Sequence, residues 1–84
     1  MLEKLSVKAL AVALGIAWGA GMLFTGWASI FGWGEKIVDV MSSVYIGFAP
    51  SLLGGFIGGV WGFMDGAIGG AIIALVYNAI AKRK

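Results

Sequence analysis

The chain has 84 residues, of which 61% are hydrophobic and 12% charged; it carries a net charge of +2 and neither Cys nor His. A soluble domain of this length cannot hide so much apolar surface, so the composition predicts one membrane domain, residues 1–84, with the lipid bilayer as its solvent. The missing Cys and His exclude disulfides, thiol chemistry and the usual zinc sites, and the small net charge argues against a nucleic-acid partner.

Met1 to Lys8 is a short polar lead. A first transmembrane helix is predicted over about residues 8–30, where Ala9 to Ile30 contains no charged residue and exceeds the roughly 20 residues needed to span the hydrocarbon core. Lys4 and Lys8 before an apolar run resemble the start of a signal peptide, but the run is too long for a typical h-region and reads as a retained helix. Its small residues form two stripes. Ala9, Ala13, Ala17 and Ala20 lie on one side; Ala11, Gly15, Gly19 and Gly26 lie on another.

Phe31-Gly32-Trp33-Gly34 reads as a turn. Trp27, Trp33 and Tyr45 lie around the connection and Tyr77 near the far end of the chain, the places expected of interfacial anchors. Within the connection, Ile37, Val38, Met41, Val44, Tyr45 and Phe48 recur at helical spacing. Glu35, Lys36, Asp39, Ser42 and Ser43 fall opposite them. The pattern predicts a short amphipathic helix over about residues 35–48, either lying in the membrane interface or packing on a neighbouring subunit. Gly47 and Pro50 end it.

A second transmembrane helix is predicted over about residues 51–81. Leu52 to Ala81 carries one charge, Asp65. At about 45 Å it is longer than a span requires, so it tilts or extends into the cytoplasm. Lys4, Lys8, Lys82, Arg83 and Lys84 flank the spans, whereas the connection holds only Lys36. The positive-inside rule places both termini in the cytoplasm. The expected fold is therefore an all-α, two-transmembrane helical hairpin.

At roughly 100° per residue, Gly54, Gly58, Gly62, Gly66 and Gly70 advance by about 40° per step, and Gly55, Gly59 and Gly69 fall within the same arc of about 160°. Bulky residues such as Phe56, Val60, Trp61 and Met64 fall opposite. Each glycine costs a helix up to about 1 kcal/mol relative to alanine, so close glycine-zipper packing must offset the eight of them. Beyond Gly70 the arc carries Ile72, Ile73, Val76 and Ile80, and the helices are expected to separate there. Helix 1, through Gly15 and Gly19, covers part of the arc. The remainder, and the second stripe of helix 1, point to a homo-oligomer or a larger membrane complex; the alternative is a tight hairpin whose second stripe faces lipid.

Asp65 falls inside the glycine arc. An acid at this depth marks a functional site by default. It is protonated, lines a water-filled pore that favours cations, or accepts a hydrogen bond across an interface. Trp18 and Trp61, each near the middle of its helix, are the candidate donors. No second acid, His or Cys accompanies Asp65, and no phosphate loop follows a strand. No catalytic, metal or cofactor site is expected, and the chain does not read as an enzyme.

Several stretches carry a family resemblance: Leu5-Ser6-Val7-Lys8-Ala9, Trp18-Gly19, Phe31-Gly32-Trp33-Gly34, Tyr45-Ile46-Gly47-Phe48, Trp61-Gly62-Phe63-Met64-Asp65-Gly66 and Leu75-Val76-Tyr77-Asn78. Together they resemble a group of small prokaryotic membrane proteins labelled bacteriophage-holin-like. The resemblance implies oligomerisation in the prokaryotic cytoplasmic membrane and formation of a pore or lesion. The competing expectation is a structural scaffold or accessory subunit with Asp65 as a buried acceptor. A third, weaker likeness is to the rotor proteolipid of ATP synthases, a proton- or cation-binding oligomer. Here, however, the glycines and the acid share helix 2, and the connection is long and lacks Arg.

Overall fold

The computed structural model describes residues 4–82; Arg83 and Lys84, used above for orientation, lie outside them, as do Met1 to Glu3. Among the described residues there are three helices: α1 (Val7–Ser29), α2 (Glu35–Met41) and α3 (Leu52–Lys82). α1 and α3 are long and apolar enough to cross a membrane. Their bounds fall within about a residue of the periodicity. The molecule is a rod of 49 × 19 × 18 Å, as long as α3 itself.

Each helix start has a local cause. Ser6 is extended and its hydroxyl accepts the Ala9 N–H at 3.1 Å, capping α1. Ser51 does the same for α3, accepting from the Gly54 N–H at 2.8 Å. Gly34 enters α2 in the left-handed region, φ 75°, which a side chain rarely tolerates.

α2 covers only the first half of the helix expected over 35–48. The hydroxyls of Ser42 and Ser43 bond back to the carbonyls of Asp39 and Val40 at 2.8 and 2.7 Å, which offers the backbone an alternative to helix. Gly47 then turns with φ 93°. The second half of the expected apolar face is thereby folded inward: Val38, Tyr45 and Phe48 are 2, 1 and 3% exposed and pack with Met22, Met41 and Trp61. Ile37 and Val44, expected on the same face, are exposed.

α1 and α3 run antiparallel in close contact. A Cβ at Gly26 would meet the Gly55 Cα at 2.6 Å, one at Gly19 the Gly59 carbonyl at 2.9 Å, and one at Gly70 the Leu10 carbonyl at 2.7 Å. A Cβ at Gly66 would collide with the Leu14 carbonyl, and one at Gly15 would lie 2.9 Å from that of Phe63. At these five positions a side chain is excluded by backbone.

The expected separation past Gly70 does not occur. Ala74 is fully buried and Ala81 is 7% exposed. Asn78 clamps Leu5 through two hydrogen bonds, accepting from its N–H at 2.7 Å and donating to its carbonyl at 2.9 Å. The seam steps by four from Gly62 through Gly66, Gly70 and Ala74 to Asn78. A wheel drawn on a straight helix carries that row sideways and misplaces its continuation. Ile72, Ile73, Val76 and Ile80, placed in the arc by that wheel, are exposed.

The width of the glycine arc also has an internal explanation. Gly55, Gly59, Gly62, Gly66 and Gly70 face α1, whereas Gly54 lies against the Ala49 backbone and Gly58 against the Phe48 ring. The connection supplies the second cover that the sequence argument sought in another subunit. Gly69 differs from the rest: a Cβ there would meet nothing within 4 Å, so it is not a packing glycine of this unit.

Candidate functional site: the Asp65 cluster

Asp65 lies in the middle of α3, and its partner is a residue the sequence placed elsewhere. The Tyr45 hydroxyl donates to Asp65 Oδ2 at 2.6 Å. The same hydroxyl accepts from the Trp18 indole N–H at 2.8 Å. Trp18, named as a possible donor to Asp65, therefore acts through Tyr45. Trp61, the other named donor, instead gives its N–H to the Ile46 carbonyl at 2.9 Å. Tyr45, expected as an interfacial anchor, is buried.

Three elements converge here. α1 contributes Trp18, α3 contributes Trp61 and Asp65, and the connection contributes Tyr45. The Tyr45 and Trp61 rings stack at 6.0 Å and 10°, and Phe48 tilts against Tyr45 at 6.0 Å and 50°. Phe48 is seated because Gly26 and Gly58 leave a slot that any Cβ would close. The slot fixes Phe48, Phe48 and Trp61 fix the Tyr45 ring, and the ring aims its hydroxyl at Asp65.

Burial first, and then the bond to Asp65, raise the Tyr45 phenol above its ordinary pKa, with the Trp18 N–H pulling the other way. The phenol is held neutral and acts as a donor. Asp65 itself is exposed on the surface of the unit, and among the described residues only its Oδ2 receives a hydrogen bond. Beside it lies a cavity of about 170 Å³ lined by Val44, Tyr45, Trp61, Met64, Asp65 and Ile68. Among the described residues no group of three or more potential metal ligands occurs.

The other expected anchors take mixed positions. Trp27 covers Gly55 and donates to the Leu52 carbonyl at 2.9 Å. Trp33 is 58% exposed and meets Phe24 edge-on at 5.7 Å. Tyr77 is half-buried. Ala9, Ala13, Ala17 and Ala20 are all exposed, so this stripe of α1 is left open on the surface of the unit, whereas Gly15, Gly19 and Gly26 are buried.

Sequence reasoning missed the roles of Tyr45 and Phe48. The signals were present in Ser42-Ser43 and Gly47, which break a helix, and in Gly26 and Gly58, which mark a ring-sized slot. No protein-family model matches the chain, and no curated protein or solved structure matches it either.

Proposed function

We propose that the chain is an integral membrane protein of a prokaryotic cytoplasmic membrane, a two-span hairpin with both ends cytoplasmic. Copies of it assemble into a holin-like pore or lesion in which Asp65 lines a polar path. The observation that carries this reading is the exposed position of Asp65 at the middle of the longer span. A carboxylate facing lipid there is costly, and intramembrane acids face a bundle interior or water. The exposed alanine stripe of α1 supports assembly, because small residues let a neighbouring helix approach closely. The Lys distribution supports the orientation.

A second reading has its own support. The Tyr45–Asp65 bond lies within one chain, so the acid also serves as an acceptor that ties the connection to α3. On that reading the chain is a scaffold or accessory subunit of a larger membrane complex.

Two substitutions separate the readings. Asp65→Asn keeps an acceptor for Tyr45 and removes the charge. Tyr45→Phe keeps the charge and removes the tie. A pore lined by Asp65 loses cation preference in liposome flux assays with Asp65→Asn, while its thermal stability in detergent stays near wild type. A purely structural acid gives background flux in the wild type, and only Tyr45→Phe has an effect, lowering stability by about 1–2 kcal/mol. Wild-type flux that Asp65→Asn leaves unchanged in selectivity overturns the pore role.

A further inference from the structure

We infer that the cavity beside Asp65 is a binding site for an organic ammonium cation. The inference rests on the membrane placement proposed above and adds a ligand class to the same acid. Three features of the site carry it.

The first is the spare charge. Tyr45 satisfies one oxygen of Asp65, and none of the residues lining the cavity is cationic. The Lys residues among those described, Lys4, Lys8, Lys36 and Lys82, lie before or at the chain-end limits of α1 and α3 or on α2. Among the described residues none supplies a counter-charge at this level.

The second is the wall. Trp61 is half-buried, stacked on Tyr45 and held by its N–H on Ile46, so its indole is fixed in orientation. Tryptophan is the best cation–π partner within about 6 Å of its ring. Val44, Met64 and Ile68 make the rest apolar, which suits alkyl groups on a nitrogen.

The third is what the site lacks. Ca²⁺ or Mg²⁺ takes about six or more oxygen ligands. Here the Tyr45 hydroxyl is already engaged by Trp18 and Asp65, and the Ile46 carbonyl by Trp61. One carboxylate oxygen in an apolar, aromatic pocket matches a soft, weakly hydrated cation and not a metal ion. A volume of about 170 Å³ accepts a head of a few heavy atoms, on the scale of about 30 Å³ per water-sized group. A trimethylammonium head meets that limit, with its substituent leaving through the open side of the cavity.

The test is calorimetric titration of the protein in nanodiscs with benzyltrimethylammonium, beside its neutral isostere neopentylbenzene and beside empty nanodiscs. The expected result is saturable binding of one cation per chain, with only non-saturable partitioning of the neutral compound. Asp65→Asn weakens binding at least tenfold, and Trp61→Leu at least threefold. Near-UV circular dichroism of each variant separates lost binding from lost folding, and Asp65→Glu, which restores the charge, recovers binding where Asp65→Asn has perturbed the fold. Equal binding by wild type and a folded Asp65→Asn overturns the site, as does saturable binding of the neutral isostere or none of the cation. Failure of the membrane placement reads out separately, as protein that does not enter nanodiscs and is stripped from membranes by alkaline carbonate.

Discussion

The two ends of the α1–α3 seam are built differently. Beside the connection the structure has three layers: Gly26 and Gly58 form a slot, Phe48 fills it, and Ala49 lies on Gly54. At the other end there are two layers, with Gly66 and Gly70 against the bare carbonyls of Leu14 and Leu10 and Asn78 clamping Leu5. Glycine thus does two jobs in one helix. At the connection end it makes room for a ring as well as for close backbone, Gly26 on Gly55 and Gly54 on Ala49; at the other it lets the two helix backbones meet with no ring between them, and backbone cannot yield. The polar residues follow the same division. Tyr45, Asp65, Trp18 and Trp61 gather where a third layer can supply partners, and the two-layer end offers only the clamp.

The sharpest test of that difference is Gly66→Leu. Its Cβ meets the Leu14 carbonyl, so the helices must move apart. The expected loss is about 3 kcal/mol or more, at the upper end of overpacking costs, measured by reversible unfolding in mixed detergent micelles. A loss below about 1 kcal/mol means that the two-layer end is loose and the comparison fails. The Asp65 cluster sits close by, so the near-UV signal of its aromatic residues should weaken in the same variant.

Phe48→Ala probes the three-layer end. The ring is 3% exposed and occupies the slot that Gly26 and Gly58 leave. Truncation leaves a cavity and frees the connection, at an expected cost of about 2–3 kcal/mol, below the usual range for a buried Phe because lipid or detergent can enter the space. Protease sensitivity over residues 42–50 should rise in step. An unchanged digestion pattern would mean that the connection is held without its ring.

Asn78→Ala removes both bonds to Leu5. Both groups are near an exposed end where water substitutes, so about 1 kcal/mol is expected, read as a small fall in thermal stability and faster amide exchange at Leu5. The seam through Ala74 should hold, because its packing does not depend on the clamp.

The two long helices were legible because apolar length is a local signal. The glycine row was legible too, from its spacing alone. The fate of the connection was not. Tyr45 and Phe48 fit an amphipathic helix by periodicity, and only the competition from Ser42 and Ser43 and the turn at Gly47 send them inward. The acid was visible as an expensive residue, but its donor sits 20 residues away on a segment read as surface. Pairing across three elements leaves no periodic trace. The same gap explains why the arc appeared too wide for one chain: its second cover was counted as a separate surface.

The smallest effect tests the boundary of both regions. Gly69 follows the spacing of its neighbours, yet a Cβ there meets nothing within 4 Å. On packing grounds Gly69→Ala costs nothing, and the gain in helix propensity should stabilise the fold by up to about 1 kcal/mol, less in lipid than in water. The same substitution in nanodiscs reports on assembly. If a neighbouring copy approaches α3 closely beside Asp65, Gly69 is where its backbone would need the missing Cβ. A variant that is as stable as wild type or more so in detergent, but loses its oligomer in nanodiscs, would place the subunit contact next to the acid. A variant with an intact oligomer would move that contact away from Gly69, leaving the exposed alanine stripe of α1 as the surface to substitute next.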